Sequence, residues 1–367
     1  MPRKQPTVAI LFNLTGEDEY EKLRDIDPST LGFKPEYDIH VATSMEEYEA
    51  LAKALRAEGF RVRLVNVEEN LPRLLHTLAH RPPDVIFNLV EHFHNNPERE
   101  MDVAGVYELF RIPYTGAPPF GLAVCQRKGL TKKLLTAHGV PTPRARLLQT
   151  SRQDRDHGLR FPLIVKPGRE DASSGVEGGS VVYNDRQLRR RIDWAFARFA
   201  PPILVEEYID GRELHVSILG NGPPVVLPMI EFDFSALPRG YPRIISYAAK
   251  WDPLDIVFHR VHAVCPARLS ATIRKKVEQM CLEAYRITGC RDYARIDVRL
   301  SPNGRAYVLE VNPNPDLTEG VSFMESAEKA GFSFPQTLRM IVEEALARRH
   351  AMSEPTGTGE PHAPSVR

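Results

Sequence analysis

The residues richest in chemistry are Arg295-Ile296-Asp297 and Glu310-Val311-Asn312, which flank Ser301-Pro302-Asn303-Gly304. Asn-Gly favours a two-residue type I′ hairpin turn, in which both positions take positive φ. With Asn303 and Gly304 as that loop, Asp297 lies opposite Glu310 and Arg295 opposite Asn312. The other face then pairs Ile296 with Val311, Val298 with Leu309 and Leu300 with Tyr307, an apolar core face. Two carboxylates that start about 5 Å apart at Cβ repel each other. A cation resolves the repulsion, and Asp, Glu and Asn oxygens are the ligands Mg2+ takes alongside phosphates and water. The alternative is a solvated polar face neutralised by Arg295 and Arg299. Pro313-Asn314-Pro315-Asp316 ends the strand at once and favours a site beside a rigid loop.

Lys166 closes an apolar strand and opens a Gly- and Ser-rich stretch, Pro167 to Ser180. Such a loop lets backbone N–H groups approach phosphate oxygens, although the same composition also suits a plain connection. No GxxxxGK[ST] and no GxGxxG occurs, which disfavours a P-loop NTPase or a standard dinucleotide fingerprint. The 48 Lys and Arg equal the 48 Asp and Glu. Neutrality argues against nucleic acid or an anionic membrane as the main partner and leaves small anions open. No apolar run reaches the roughly 18 residues of a spanning helix. The N-terminus reads as a first strand rather than a signal peptide. Cys125, Cys265, Cys281 and Cys290 show no zinc spacing and read as reduced cysteines of a cytoplasmic protein. His92 and His94 could form a metal pair on a strand face, but as loop histidines near a cleft they read rather as substrate contacts or as residues without a role, and His259 and His262 have no partner legible in the sequence.

The elements that would position these residues follow a β-α-β-α-β order at the start: strands near Val8 to Phe12, Phe60 to Val65 and Asp84 to Leu89, with helices between. Ser44 with Glu47 reads as a capping box, and Gly59 as a stop. This order predicts a doubly wound parallel sheet. A helix from Lys128 to His138 precedes strands at 161–166, 180–183 and 203–207. Strands of antiparallel character follow from Gly211, with helices at 270–288 and 335–349. The fold class is α/β and α+β, divided as 1–124, 125–210, 211–352 and a disordered tail 353–367.

Taken together, these segments resemble the ATP-grasp superfamily and, within it, the D-alanine–D-alanine ligases. The matching segments, in family order, are Ile112-Pro113-Tyr114-Thr115-Gly116, Lys128 with Lys132, Lys166-Pro167, Glu206-Glu207-Tyr208-Ile209 with Glu213, Ala249-Lys250-Trp251, and the Arg295/Asn312 hairpin. The resemblance implies an N-terminal Rossmann-like domain followed by a two-part ATP-grasp fold. It also implies an ATP-dependent ligase that joins a carboxylate to an amine through an acyl phosphate. Lys128, Lys166 and Ser174 would hold ATP phosphates, Glu206 to Ile209 (Glu206, Glu207, Tyr208, Ile209) the adenine, and Glu213 the ribose. Lys250 would reach the triphosphate and the reacting centre. Asp297, Glu310 and Asn312 would bind two Mg2+, with Mn2+ a substitute, and Arg295 would stabilise the oxyanion.

Departures fall on the substrate side. The loop serine of the family aligns with Ala172, leaving Ser173 as its stand-in, and the tyrosine aligns with Trp251. Glu17, Glu91 and Ser322 are the remaining candidates for substrate contact. The expected substrates are amino acids or short peptides, and the family pattern implies a homodimer. Two rival readings are a non-catalytic ATP-binding regulator descended from such a ligase, and an ATP-grasp enzyme of other carboxylate chemistry.

Overall fold

The structure is a computed structural model that describes residues 5–15, 18–152 and 157–353, with side chains to Arg348. Its thirteen strands among the described residues form three sheets. The strands β1 (Thr7–Phe12), β2 (Arg61–Asn66) and β3 (Val85–Leu89) are parallel in the order β2-β1-β3. Tyr114 extends this sheet beside Ile86, whose N–H reaches the Pro113 carbonyl at 2.8 Å. One face buries Val8, Ile10 and Phe12 under the helix Ser44–Ala57 and also under Leu338, Ile341, Val342 and Ala345 of the last helix, Phe334–Ser353. The other face buries Ala9, Leu11 and Ile86 under helices Leu71–His80 and Glu100–Leu109. The last described helix thus packs back on the N-terminal sheet. The tail expected from Ser353 onwards is helical at Ser353 and otherwise lies outside the described residues.

β4 (Ala145–Leu148), β5 (Leu163–Pro167), β6 (Val181–Val182) and β7 (Ile203–Glu207) form an antiparallel sheet in the order β4-β7-β5-β6. The helix Asp185–Phe196 covers it through Leu188, Ile192 and Ala195. The largest sheet has β8 (Arg212–Leu219) at its centre. It also contains β9 (Val225–Val226), β10 (Ile230–Asp233), β11 (His262–Val264), β12 (Tyr293–Leu300) and β13 (Ala306–Asn312), in the order β11-β10-β8-β12-β13 with β9 on β8. Its core includes Val277, Cys281 and Ala284 of the helix Ala271–Ile287, and also Leu135 of the helix Lys128–Ala137 and Val140 just after it.

Two local expectations are corrected. The first helix is capped by Thr43, not Ser44: the Glu46 N–H donates to Thr43 Oγ1 at 3.3 Å, and the Thr43 N–H to Glu46 Oε2 at 2.9 Å. Glu47 is therefore free of the cap. The β12–β13 turn has three residues, closed by Ser301 N–H on the Arg305 carbonyl at 2.9 Å, and only Gly304 has positive φ. Val298 consequently faces Val308, and Leu300 faces Ala306, rather than Leu309 and Tyr307. A bulge at Leu309 then restores the expected register, so Asp297 does face Glu310 and Arg295 faces Asn312. A bulge puts two consecutive residues on one side. Leu309 accordingly joins Glu310 on the cleft face.

Candidate active site

A cleft with about 760 Å³ of open space lies between the two antiparallel sheets. β5 and β7 supply Lys166 and Glu206 to its floor by strand alternation, with Ile164 opposite Glu206 and Lys166 opposite Leu204. Glu206, 1% exposed, holds Lys166 Nζ at 2.7 Å and Lys132 Nζ at 2.6 Å. Burial alone would raise the Glu206 pKa, but the two ammonium groups outweigh it and keep the carboxyl below its usual range. Lys166 is pushed down by burial yet ends above its usual value, because Glu206 and Glu310 outweigh that loss. Lys132 has Thr142 Oγ1 as a further partner at 2.8 Å. Sequence reading gave Lys132 no role, although it lies one helical turn from Lys128 and so on the same face.

Lys128 opens its helix and reaches across the cleft, donating to the Glu170 carbonyl at 2.6 Å with Glu310 Oε2 3.6 Å away. The loop after β5 is held from below by Arg191, which is 7% exposed and contacts the Gly175 carbonyl at 2.7 Å, Ser180 Oγ at 2.8 Å and Glu177 Oε2 at 3.0 Å. Ser173 and Ser174 both line the cleft, but the Ser173 hydroxyl is engaged with the Ile245 carbonyl at 3.1 Å.

The turn between β7 and β8 carries the stretch expected at adenine. Glu207, Tyr208 and Ile209 line the cleft. The Glu207 carboxylate faces outward, accepting from the Arg160 N–H at 3.1 Å and lying 3.4 Å from Arg144 Nη1, so its backbone is what remains for the cleft. Gly211, immediately before β8, has φ 144°, and a Cβ there would lie 2.2 Å from the Leu300 carbonyl oxygen, so only glycine fits. Two residues on, Glu213 is paired with the Arg299 guanidinium at 2.7 Å. Arg299 therefore neutralises the expected ribose ligand rather than the Asp297–Glu310 pair.

On β12, Arg295 grips Asp297 with two bonds, Nε to Oδ1 at 2.7 Å and Nη2 to Oδ2 at 3.0 Å. Asn312 Nδ2 adds a bond of 3.2 Å to Oδ2. His215, opposite Asp297 on β8, approaches Oδ1 at 3.6 Å and contacts Ser322 Oγ at 3.1 Å through its other nitrogen. Burial, together with Arg295 and Lys250, holds the His215 pKa well below normal, so this imidazole is neutral. Sequence reading missed His215, whose signal was its spacing of two from Glu213, which puts both on one strand face. Lys250, on the short helix Tyr247–Trp251, lines the cleft, and burial followed by Arg295 lowers its pKa.

The donor set fits a hard cation. Asp297 and Glu310 are register partners, and Asn312 adds an amide oxygen. Among the described residues no three His, Cys, Asp or Glu side chains converge to hold a metal unaided. A Mg2+ held by these residues would draw the rest of its shell from water and phosphate oxygens.

Of the substrate candidates, Ser322 sits at the start of the helix Ser322–Lys329 with its hydroxyl on His215. The Trp251 indole donates to the Ala172 carbonyl at 2.8 Å. Glu17 lies outside the described residues. Glu91 is reached by water yet crowded by protein and by Asp316, Asp171 and Glu47, which push its carboxyl up to about 8. Glu47, pushed up to about 7 by burial and then by Asp316, is a neighbour the sequence did not flag.

A parallel N-terminal unit, followed by two sheets that enclose a lysine-lined cleft with a carboxylate pair at one end, defines an ATP-grasp ligase. Comparison with known proteins agrees. Residues 134–343 match the family model described as D-ala D-ala ligase C-terminus. An uncharacterised protein, y4sG, of Sinorhizobium fredii is 33% identical over 81% of this chain and 84% of its own. A D-alanine–D-alanine ligase of Desulforudis audaxviator is 32% identical over 83% of this chain and 94% of its own. The crystal structure of a Bacillus anthracis D-alanine–D-alanine ligase complexed with ATP superposes with TM-score 0.70 at 22% identity, covering 95% of this chain and 99% of that one. The chain belongs to the D-alanine–D-alanine ligase family, whose chemistry is ATP-dependent carboxylate–amine ligation. Among the described residues no helix is long and apolar enough to cross a membrane.

Proposed function

We propose that the protein joins the carboxylate of one amino acid or short peptide to the amine of another, converting ATP to ADP and phosphate through an acyl phosphate. The observation that carries this reading is the set Lys128, Lys166 and Lys250 facing the Asp297–Glu310 pair, with Arg295 fixed beside it. Phosphoryl transfer needs positioning and charge neutralisation above all. Lys128, Lys166 and the backbone around Ser174 would bind the phosphates, Lys250 the γ-phosphate and reacting carboxylate, Glu206 to Ile209 the adenine, and Glu213 the ribose. Asp297, Glu310 and Asn312 would hold two Mg2+, which supply neutralisation of phosphate charge when bound, and Mn2+ has the same ligand preferences. Arg295, oriented by Asp297, is placed to donate to the oxyanion that forms when the amine attacks.

Glu47, Glu91 and Asp316 face one another on the substrate side and suit the ammonium groups of amino acids rather than their carboxylates. The reading divides the chain at 1–124, 125–210 and 211–352, with a homodimer as the assembly. It places the protein in the cytoplasm, where ATP is supplied and the four free cysteines stay reduced. The test is isotope transfer: with a heavy-oxygen-labelled carboxylate substrate, an acyl-phosphate route moves one label into the released phosphate. Unlabelled phosphate would contradict it.

A further inference from the structure

The long segment from Asp18 to Thr43 leaves the N-terminal unit and fastens onto the stretch that follows Lys250. Tyr20 donates its hydroxyl to the Trp251 carbonyl at 3.1 Å. The Glu36 and Tyr37 N–H groups both donate to His259 Nδ1, at 3.2 and 3.1 Å. His259 Nε2 contacts the Pro253 carbonyl at 2.8 Å. Those contacts make Nε2 the protonated nitrogen and leave Nδ1 as a double acceptor. The ring is fully buried, and the rings of Phe33 and Tyr37 pack against it with centroids 5.2 and 6.0 Å away. The Glu36 carboxylate pairs with Arg260 and with His262 Nε2, and Tyr37 Oη meets His262 Nδ1 at 2.9 Å.

Trp251 and the residues just before Lys250 are tied on their other side to the loop after β5. Trp251 Nε1 donates to the Ala172 carbonyl at 2.8 Å, Ser173 Oγ to the Ile245 carbonyl, and the Tyr247 N–H to the Val176 carbonyl at 2.9 Å. Ala172 and Ser173 have φ of 51° and 63°. Left-handed backbone at residues other than glycine persists only where its surroundings enforce it. Trp251 therefore joins the N-terminal segment, through its carbonyl, to the cleft loop, through its indole. Neither Tyr20, Trp251 nor His259 lines the cleft, whereas Lys250 and Ser173 do.

We propose that residues 18–43 are a clasp, fastened at Tyr20 and His259, which uses Trp251 to hold Lys250 and the cleft loop in position. All three are positioning residues for the ligase reaction. Trp251 acts by latching the loop and not as a substrate contact. The inference rests on the nucleotide reading of the cleft for its functional consequence.

Hydrogen exchange on the full, nucleotide-free chain tests the clasp itself. Tyr20→Phe removes one hydroxyl, His259→Phe keeps ring bulk without an acceptor, and His259→Asn returns an oxygen near Nδ1. The clasp predicts faster exchange in residues 168–179, which neither Tyr20 nor His259 touches, with partial recovery in His259→Asn. Exchange that rises only within 18–43 and 247–262 would overturn it. Release of a Mg2+-bound, non-hydrolysable ATP analogue is then followed by Trp251 emission in a Trp194→Phe background, since these are the two tryptophans of the chain. Loss of one hydrogen bond predicts roughly 2- to 12-fold faster release in Tyr20→Phe. Unchanged release would overturn the positioning role. Failure of the parent protein to bind the analogue would refute the nucleotide reading, while the exchange data still decide the clasp.

Discussion

Glu206→Gln is the sharpest test of how the cleft floor is built. Its two carboxylate oxygens serve two ammonium groups, Lys132 at 2.6 Å and Lys166 at 2.7 Å, and all three residues are less than one-tenth exposed. Glutamine keeps one acceptor oxygen and turns an N–H2 donor towards the other ammonium. One buried cation then faces a donor in place of an anion. Breaking a buried pair from one side costs about 3–5 kcal/mol, because the partner charge stays desolvated. Glu206→Gln should lower the unfolding free energy of the protein by about that amount. Adding Lys132→Met removes the stranded charge, so the double variant should be less unstable than the sum of the singles by at least ~1.5 kcal/mol. Urea unfolding of the four proteins of the cycle, followed by far-ultraviolet circular dichroism, measures this. A loss below ~1 kcal/mol in Glu206→Gln, or strict additivity, would refute the charge arrangement.

Arg295→Met should reduce turnover by about two to three orders of magnitude, the usual effect of losing an oxyanion donor, while ATP affinity from equilibrium titration changes little by comparison. Glu47 and Glu91 have carboxyl groups raised to about 7 and about 8. Between the unfolded carboxyl value and pH 8 the folded state binds more protons than the unfolded one, so thermal stability should fall as pH rises through that window and level off above it. Glu47→Gln should flatten the slope, and a melting series from pH 5 to about pH 9 reads it. Gly211→Ala forces a Cβ against the Leu300 carbonyl at an unfavourable φ. It should destabilise by about 1–3 kcal/mol in urea unfolding.

The pairing of Asp297 with Glu310 was legible because two departures cancel. A three-residue turn shifts the pairing by one, and the bulge at Leu309 shifts it back before Asp297 and Glu310. The two aliphatic pairs between turn and bulge have no such correction, so Val298 and Leu300 were matched to the wrong partners. Thr43 and Ser44 are both capping residues followed by a glutamate, and local sequence cannot rank them. Lys132 and His215 were within reach of simple periodicity. The clasp was not. His259 finds its donors 222 and 223 residues away, and nothing in the composition of 18–43 signals that its backbone N–H groups end on a distant imidazole. The convergence of Glu47, in the first turn of the helix Ser44–Ala57, with Glu91 after β3 and Asp316 after β13 is equally non-local.

The central claim is ATP-dependent amide formation. The most direct measurement is mass spectrometry of products after incubation with Mg-ATP and pooled D- and L-amino acids and short peptides. Amide formation yields a product whose mass is that of two components less one water, with ADP and phosphate formed in equal amount. ATP that binds without turnover, or a phosphorylated acid as the final product, would contradict it.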